Sequence, residues 1–199
     1  ENRSDTARAE RYYERSLDLA QTLGKRALEA NLHLAFARLL DLRGDFAPGL
    51  ERKRRAFELA ERLGDWHLQA RVLVSNGAGL HHLERIPESL QAYERGIEMA
   101  RRIGDLRILA YGLWNAAGAY VKQNDLLRAE AYLKEAEGIF HKLKEPVMEA
   151  LVLQMYGHVW EKRGKWHLAK QNLTAAMDLL RGGDSAMDFA RFATVTADL

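Results

Sequence analysis

Cysteine is absent from this 199-residue sequence, and proline occurs only three times. Without cysteine the chain can form no disulfide, no thiolate zinc site and no thiol nucleophile. No apolar run approaches the roughly 20 residues that a transmembrane helix needs, which argues against a membrane partner. The formal net charge is only +2, and neither half of the chain forms the basic arm or acidic tail that marks a highly charged partner. We therefore expect a folded cytoplasmic domain.

The three prolines all lie near the predicted start of a helix. Pro48, Pro87 and Pro146 occupy positions in or next to a first turn, where the missing N–H costs no hydrogen bond. No proline interrupts a segment with the helical period, and no series of alternating residues predicts strands. The chain is therefore predicted to be all-α, with long helices and short turns.

A spacing of 40 residues dominates what the sequence does contain. Small residues return at this interval in three columns, as expected where stacked helices meet at close range. The columns are Ala30, Ala70, Ala110, Ala150 and Ala190; Ser16, Ala56, Gly96, Ala136 and Ala176; and Ala37, Gly77, Ala117 and Gly157. Such a period predicts an α-solenoid built from helix-turn-helix units.

Turn residues divide each repeat into two helices. Gly24, Gly64 and Gly104 follow apolar residues, as helix-ending glycines do. Asp65 and Asp105 come next and are good N-caps for the following helix. These signals place the end of one helix and the start of the next within three residues.

Two turns depart from the common pattern. Lys144 stands where the fourth copy should have its helix-ending glycine. In the turn that joins the two helices of one unit, Gly44, Asn124 and Gly164 supply the residue with a left-handed backbone, whereas Arg85 does not.

Together the signals predict ten helices, in about five units of a single repeat domain that covers residues 1–199. The predicted bounds are a half unit at 5–23, helix pairs at 26–63, 66–103, 106–142 and 146–181, and a terminal helix at 185–199. Because the sequence starts in a second helix and stops in a first helix, we expect a fragment of a longer protein. The same unpaired terminal helices would allow a homodimer.

One charged residue interrupts an apolar column. Tyr13, Tyr93, Leu133 and Leu173 hold this column in four copies, whereas the second copy has Lys53. We expect the second unit to pack loosely there.

The columns resemble those of the tetratricopeptide repeat (TPR) family. In that family a small first-helix residue precedes a large apolar one by three, and two small residues lie seven apart in the second helix. The first-helix pairs here are Ala37 with Leu40, Gly77 with Leu80, Ala117 with Tyr120, and Gly157 with Trp160. The second-helix pairs are Gly49 with Ala56, Ser89 with Gly96, Ala129 with Ala136, and Ala169 with Ala176. The 40-residue form is similar to the repeats of kinesin light chains, LGN-type adaptors and MalT-type bacterial regulators, and it implies a right-handed superhelix.

The resemblance implies that the first helices line a concave groove that binds a partner. The groove residues carried over from the columns are Asn31, Arg38, Arg71, Ser75, His81, Tyr111, Trp114, Asn115, Gln154 and His158. Trp114 belongs to a residue type enriched at binding hot spots, and Asn115 could hydrogen-bond a peptide backbone. Arg38 and Arg71 would favour a carboxylate. The alternative is that Trp114 packs between adjacent helices as ordinary core.

Other motifs give little sign of chemistry. His81-His82 and His158-x-x-Glu161 resemble metal ligands, but neither supplies the set that a helical metal site needs. Gly164-Lys165 lacks the earlier glycine and the following Ser or Thr of a phosphate loop. We therefore expect no metal, no cofactor, no catalytic residue and no enzyme activity.

The run Arg52-Lys53-Arg54-Arg55 is the most basic part of the chain, on a predicted outer helix. Glu51 and Glu58 flank it at spacings that favour ion pairs on a solvated helix face. Because the run lacks interleaved aromatics and the chain has no net basic balance, we do not expect nucleic acid as a partner.

Two functions remain open, beside the weaker idea of a purely structural spacer or self-assembly unit. The first is a protein–protein interaction module, with a scaffold or adaptor role, that binds a peptide or helix of another protein in the groove. The second is a regulatory sensor segment of a larger signalling protein, such as a transcription regulator or ATPase. There the groove would take an effector or an intramolecular domain. The full reading frame separates the two, because a nucleotide-binding or DNA-binding neighbour would favour the second.

Overall fold

A computed structural model describes residues 2–181, with side chains from 7 to 180. This part of the chain is all-helical, as predicted, and contains nine helices. They are α1 (Asn2–Thr22), α2 (Arg26–Leu42), α3 (Phe46–Leu63), α4 (Trp66–His82), α5 (Ile86–Ile103), α6 (Leu106–Lys122), α7 (Leu126–Leu143), α8 (Pro146–Lys162) and α9 (Trp166–Arg181). The predicted helix at 185–199 lies outside the described residues. Across residues 2–181, no helix combines the length and the apolarity that a bilayer crossing requires.

The chain divides into two compact units, with the boundary after Asp105. The first unit contains α1 to α5. In it α2 pairs with α3 and α4 with α5, α3 also packs on α4, and α1 packs on α2. The second unit contains α6 to α9, in which α6 pairs with α7, α8 pairs with α9, and α7 packs on α8. Each unit is therefore a stack of helical hairpins. That all of residues 1–199 form one domain stays a prediction.

Left-handed residues end helices at the predicted glycines and also at Lys144 and Glu84, to which the sequence did not assign this role. Gly64 and Gly104 follow α3 and α5 with φ of 64° and 73°, and their N–H groups bond back to the last turn. Lys144 takes the same conformation after α7, at φ 56°. In the turn after α4, Glu84 supplies the left-handed residue at φ 57°. The predicted N-cap Asp65 accepts a hydrogen bond from the Leu68 N–H at 2.9 Å.

Replacing Lys144 with glycine is expected to raise the free energy of unfolding by about 0.5–1 kcal/mol. The left-handed conformation costs a residue with a Cβ about 1–2 kcal/mol, and the greater freedom of glycine in the unfolded chain offsets part of the gain. Urea denaturation followed by circular dichroism measures the change. Gly104→Lys, at the equivalent turn, should lose a comparable amount. A lower stability for Lys144→Gly would show that its exposed side chain holds the turn.

The small-residue columns lie where helices touch. Ala37, Ala56, Ala70 and Ala136 are all 0% exposed. A Cβ built on Gly77 would lie only 2.5 Å from Cδ1 of a tyrosine ring on α5. The close helix contacts that the 40-residue period predicted are therefore confirmed in both units.

The position of Lys53 is filled rather than loose. Its side chain is completely buried, and its Nζ lies 2.7 Å from one carboxylate oxygen of Asp41 and donates to the other at 2.9 Å. Two glycines make the room. A Cβ on Gly79 would lie 2.7 Å from the Lys53 Nζ, and one on Gly49 would lie 2.7 Å from the Asp41 Oδ1. The expected loose packing is therefore wrong, because an ion pair inside the first unit takes the place of the apolar side chain.

Candidate functional site

In the first unit, the predicted groove residues lie on two helices that contact each other, α2 and α4. We call this set the α2–α4 face: Asn31, Arg38, Arg71, Ser75 and His81. Arg38, Arg71 and Asn31 are exposed, whereas Ser75 and His81 are half-buried. The Asn31 amide donates to the Ala27 carbonyl at 2.9 Å, so its N–H is used within its own helix.

The α2–α4 face carries an excess of positive charge. Partial burial lowers the pKa of Arg71, and the neighbouring guanidinium of Arg38 lowers it further, while the carboxylates of Asp65 and Asp105 oppose the shift. Among residues 7–180, neither arginine has a carboxylate within ion-pair distance. Lys53 occupies the carboxylate of Asp41 on the same helix as Arg38. Two guanidinium groups whose charges act on each other, with no carboxylate of the described residues at ion-pair distance, are suited to an incoming carboxylate.

In the second unit, the predicted groove residues lie on α6 and α8, which also contact each other. We call this set the α6–α8 face: Tyr111, Trp114, Asn115, Gln154 and His158. Trp114 is half-buried, and its indole N–H donates to the Leu151 carbonyl of α8 at 3.4 Å. Trp114 thus joins two helices, as the core alternative expects, and still leaves part of its ring at the surface.

The other members of the α6–α8 face differ in which of their groups a partner could contact. The ring of Tyr111 meets Phe140 edge to face, with centroids 5.4 Å apart. The Asn115 amide N–H donates to the Tyr111 carbonyl at 2.7 Å, so the amide oxygen is the part that a peptide N–H would meet. Gln154 is only 6% exposed and presents the least surface. The His158 Nδ1 lies 3.3 Å from Glu161.

The histidines that resembled metal ligands contact an aromatic ring or a single carboxylate. His82 stacks on Phe46, with ring centroids 4.5 Å apart and planes within 5°. His158 has Glu161 as its only near carboxylate partner in the described chain. No three His, Asp or Glu side chains converge as a metal centre anywhere in the part that the structure describes.

The basic run is paired as its spacing predicted. Arg54 forms ion pairs with both Glu51 and Glu58, and Arg55 lies 3.5 Å from each of them. The pairing with Glu51 and Glu58 accounts for most of the charge on this exposed side of α3.

One cavity was not predicted from the sequence. It is a cleft of about 410 Å³ in the first unit, where α1, α2 and α3 meet, and we call it the arginine cleft. Its lining residues are Gln21, Glu29, His33, Glu51, Arg52, Arg55, Glu58, Leu59 and Arg62. The signal available in the sequence was the spacing of Arg52, Arg55, Leu59 and Arg62, which puts all four on one side of a helix.

Comparison with known proteins relates the chain to solved structures alone, since no protein-family model and no curated protein matches it. BtubC from P. vanneervenii is 20% identical, with a TM-score of 0.79 over 92% of this chain and 78% of its own. A putative kinesin light chain from Podosopora anserina, with nearly identical TPR-like repeats, is 12% identical. Its TM-score is 0.61 over 92% of this chain and 97% of its own.

A Rap protein complexed with competence and sporulation factor is also similar. It is 17% identical, with a TM-score of 0.71 over 77% of this chain. The chain spans about half the length of the Rap structures that it matches, 43% of this one and 53% of RapI. Identities this low establish the fold alone. The nine helices, their pairing and these matches agree, and the chain has a TPR-like helical-repeat fold.

Proposed function

We propose that this chain is a protein-interaction module that binds a peptide or helix of another protein on the exposed faces of its first helices. The observation that carries the proposal is the pair Arg38 and Arg71 on the α2–α4 face. The two positive charges repel each other and lack a carboxylate at ion-pair distance in the described part of the chain, so acidic side chains or a carboxylate terminus would be favoured ligands.

The α6–α8 face would supply apolar contacts within the second unit. Trp114 and Tyr111 are half-buried aromatics, the residue types that dominate binding energy at interfaces. Their packing against α8 and Phe140 holds them rigid, so a partner would lose little side-chain freedom on binding. Asn115 would accept a backbone N–H through its amide oxygen. The first unit therefore favours an acidic segment, and the second unit favours a segment with an apolar edge.

Alanine at Arg71 or Trp114 is expected to weaken partner binding by about tenfold or more, without loss of helicity. The chain is screened against an array of acidic, amphipathic peptides, and the affinity of the best binder is then measured by fluorescence anisotropy. Circular dichroism checks the fold of each variant. Arg85→Ala is the matched control, because Arg85 is exposed, pairs locally with Glu88 and lies outside both faces.

Unchanged affinity in both Arg71→Ala and Trp114→Ala would remove the first-helix faces as the binding surface. A loss in Arg85→Ala equal to that in Arg71→Ala would reduce the effect to overall charge.

A second candidate is a regulatory segment of a larger signalling protein. The supporting observation is that the chain matches less than half of a Rap protein that was solved with a bound factor. In this case the same two faces would take an effector or another domain of the parent protein. We propose no catalytic step for the chain itself. A reading frame that adds a nucleotide-binding or DNA-binding domain favours this candidate, and a solitary repeat protein rejects it.

A further inference from the structure

The arginine cleft lies on a different side of α2 from the proposed partner face. Its walls come from α1, α2 and α3, whereas the α2–α4 face joins α2 to α4. Helical spacing brings Arg52, Arg55 and Arg62 to one wall, all contributed by α3. A volume of about 410 Å³ lies within the range of pockets that hold small molecules.

Three carboxylates also line the cleft, those of Glu29, Glu51 and Glu58, but they leave its arginines incompletely paired. Arg54, which is not a lining residue, donates to Glu51 at 2.6 and 2.9 Å and also to Glu58. Arg55 reaches the same two acids only at 3.5 Å. The guanidinium of Arg52 lies 4.4 Å above the Phe36 ring. Among residues 7–180, neither Arg52 nor Arg62 has a carboxylate partner.

A buried histidine forms part of the same cleft. His33 is only 6% exposed, and its Nδ1 has no hydrogen-bond partner among the described residues. Its Nε2 lies 4.0 Å from Glu29, which is too far for a hydrogen bond. A buried polar ring without hydrogen bonds is costly in a structure that needs it only for packing.

Burial and the arginines beside His33 favour the neutral form of its imidazole. Burial lowers its pKa first, Arg52 and then Arg55 on α3 lower it further, and Glu29 on its own helix opposes them. From α1 the lining side chain is the uncharged amide of Gln21. An anion placed between the two arginines would reverse this balance and favour the imidazolium form.

We propose that the arginine cleft binds the phosphate group of a small phosphorylated molecule. Arg52 and Arg55 would hold the phosphate by charge-assisted hydrogen bonds, and His33 would take up a proton as it binds. The rest of the molecule would extend along α3 past Leu59 toward Arg62. This site stands apart from the proposed peptide-binding faces and would let a metabolite influence the first unit.

The test titrates the full chain with inorganic phosphate and with pyrophosphate, at an ionic strength kept constant with sodium chloride. Nitrogen-15 NMR of the histidine rings follows His33, whose signal is assigned by its loss in His33→Gln. We expect a saturable shift of this signal and a higher pKa of His33 with phosphate bound.

Arg52→Met should weaken phosphate binding by about tenfold or more, since it removes the charge and keeps an apolar stem on Phe36. Arg85→Met is the matched control, because Arg85 pairs locally with Glu88 and lies outside the cleft. If Arg52→Met does not fold, Arg55→Met carries the same test. Equal weakening by Arg85→Met, or a His33 signal that phosphate leaves unmoved, would overturn the proposal. Neither result bears on peptide binding by Arg71 and Trp114.

Discussion

Replacing Asp41 with alanine is expected to lower the free energy of unfolding by about 3–5 kcal/mol, because it leaves a buried charge without its partner. Lys53 is 0% exposed, and the Asp41 carboxylate lies 2.7 Å from its Nζ. Gly79 lies against the same ammonium group, so the lysine cannot turn toward water without disturbing α4. Urea denaturation followed by circular dichroism measures the loss.

The double variant Asp41→Ala, Lys53→Met should recover most of the lost stability, since an apolar side chain of similar volume would fill the site. Asp45→Ala is the matched control. Asp45 pairs with Arg43 at 2.9 Å, but both side chains are well exposed, and the loss should stay under about 1 kcal/mol. If Asp41→Ala lost no more than Asp45→Ala, the buried pair would not stabilise the first unit.

The same variant should show a distinctive pH dependence. Burial already lowers the pKa of Lys53, and Asp41 is the group that opposes this shift. Without Asp41 the folded-state pKa falls further below the ordinary lysine value of 10.5. Between these two values the unfolded chain binds more protons than the folded chain, so the free energy of unfolding rises with pH. Asp41→Ala should therefore gain stability on the alkaline side of neutrality more steeply than the unmodified chain.

Replacing Gly77 with leucine is expected to cost about 3 kcal/mol, the upper end of the usual range for overpacked helix contacts. A Cβ at this position would lie 2.5, 2.6 and 2.9 Å from three carbon atoms of the Tyr93 ring. Tyr93 is only 1% exposed and cannot swing into solvent to make room. The two helices of the α4–α5 hairpin would have to separate, and thermal unfolding followed by circular dichroism records the result.

Gly138→Leu supplies the control for this effect. Gly138 is an exposed residue inside α7, and a Cβ there would meet nothing within 4 Å. Removing a glycine from a helix interior should stabilise this position by up to about 1 kcal/mol. The same substitution is thus expected to act in opposite directions at the two sites. An unchanged unfolding temperature for Gly77→Leu would contradict the close-contact role of the small-residue columns.

Local signals were enough to predict the helices. Asp65, a predicted N-cap, caps α4 by accepting a hydrogen bond from the Leu68 N–H. Gly64 takes the left-handed conformation that ends α3. Such features depend on residues within one turn of each other, so they can be recognised from the sequence. The repeat spacing then showed which helices pair, because the close contacts recur every 40 residues.

The sequence predicted which residues lie on the candidate partner faces but not how deeply each is buried. Register within the repeat assigned Arg71 and Trp114 to the first-helix faces, and the structure places both on helices that contact a neighbouring first helix. The depth of each side chain did not follow from register. Gln154 is buried and Trp114 hydrogen-bonds to α8, because the facing helix decides how much of each residue is covered. Their role in binding stays a prediction for the variants described above.

Sequence by itself determined the helical repeat, its turns and the small residues at its contacts, since all of these repeat along the chain. Only the tertiary structure decided how the polar residues that depart from the repeat pattern are packed. Lys53 was expected to pack loosely and instead forms a buried ion pair, because Gly49 and Gly79 happen to make room for it and Asp41 lies within reach. His33 likewise lines a cleft only because residues of α1 and α3 lie beside it in the fold. A buried charge depends on atoms brought together from distant parts of the chain, and no local pattern records their distances.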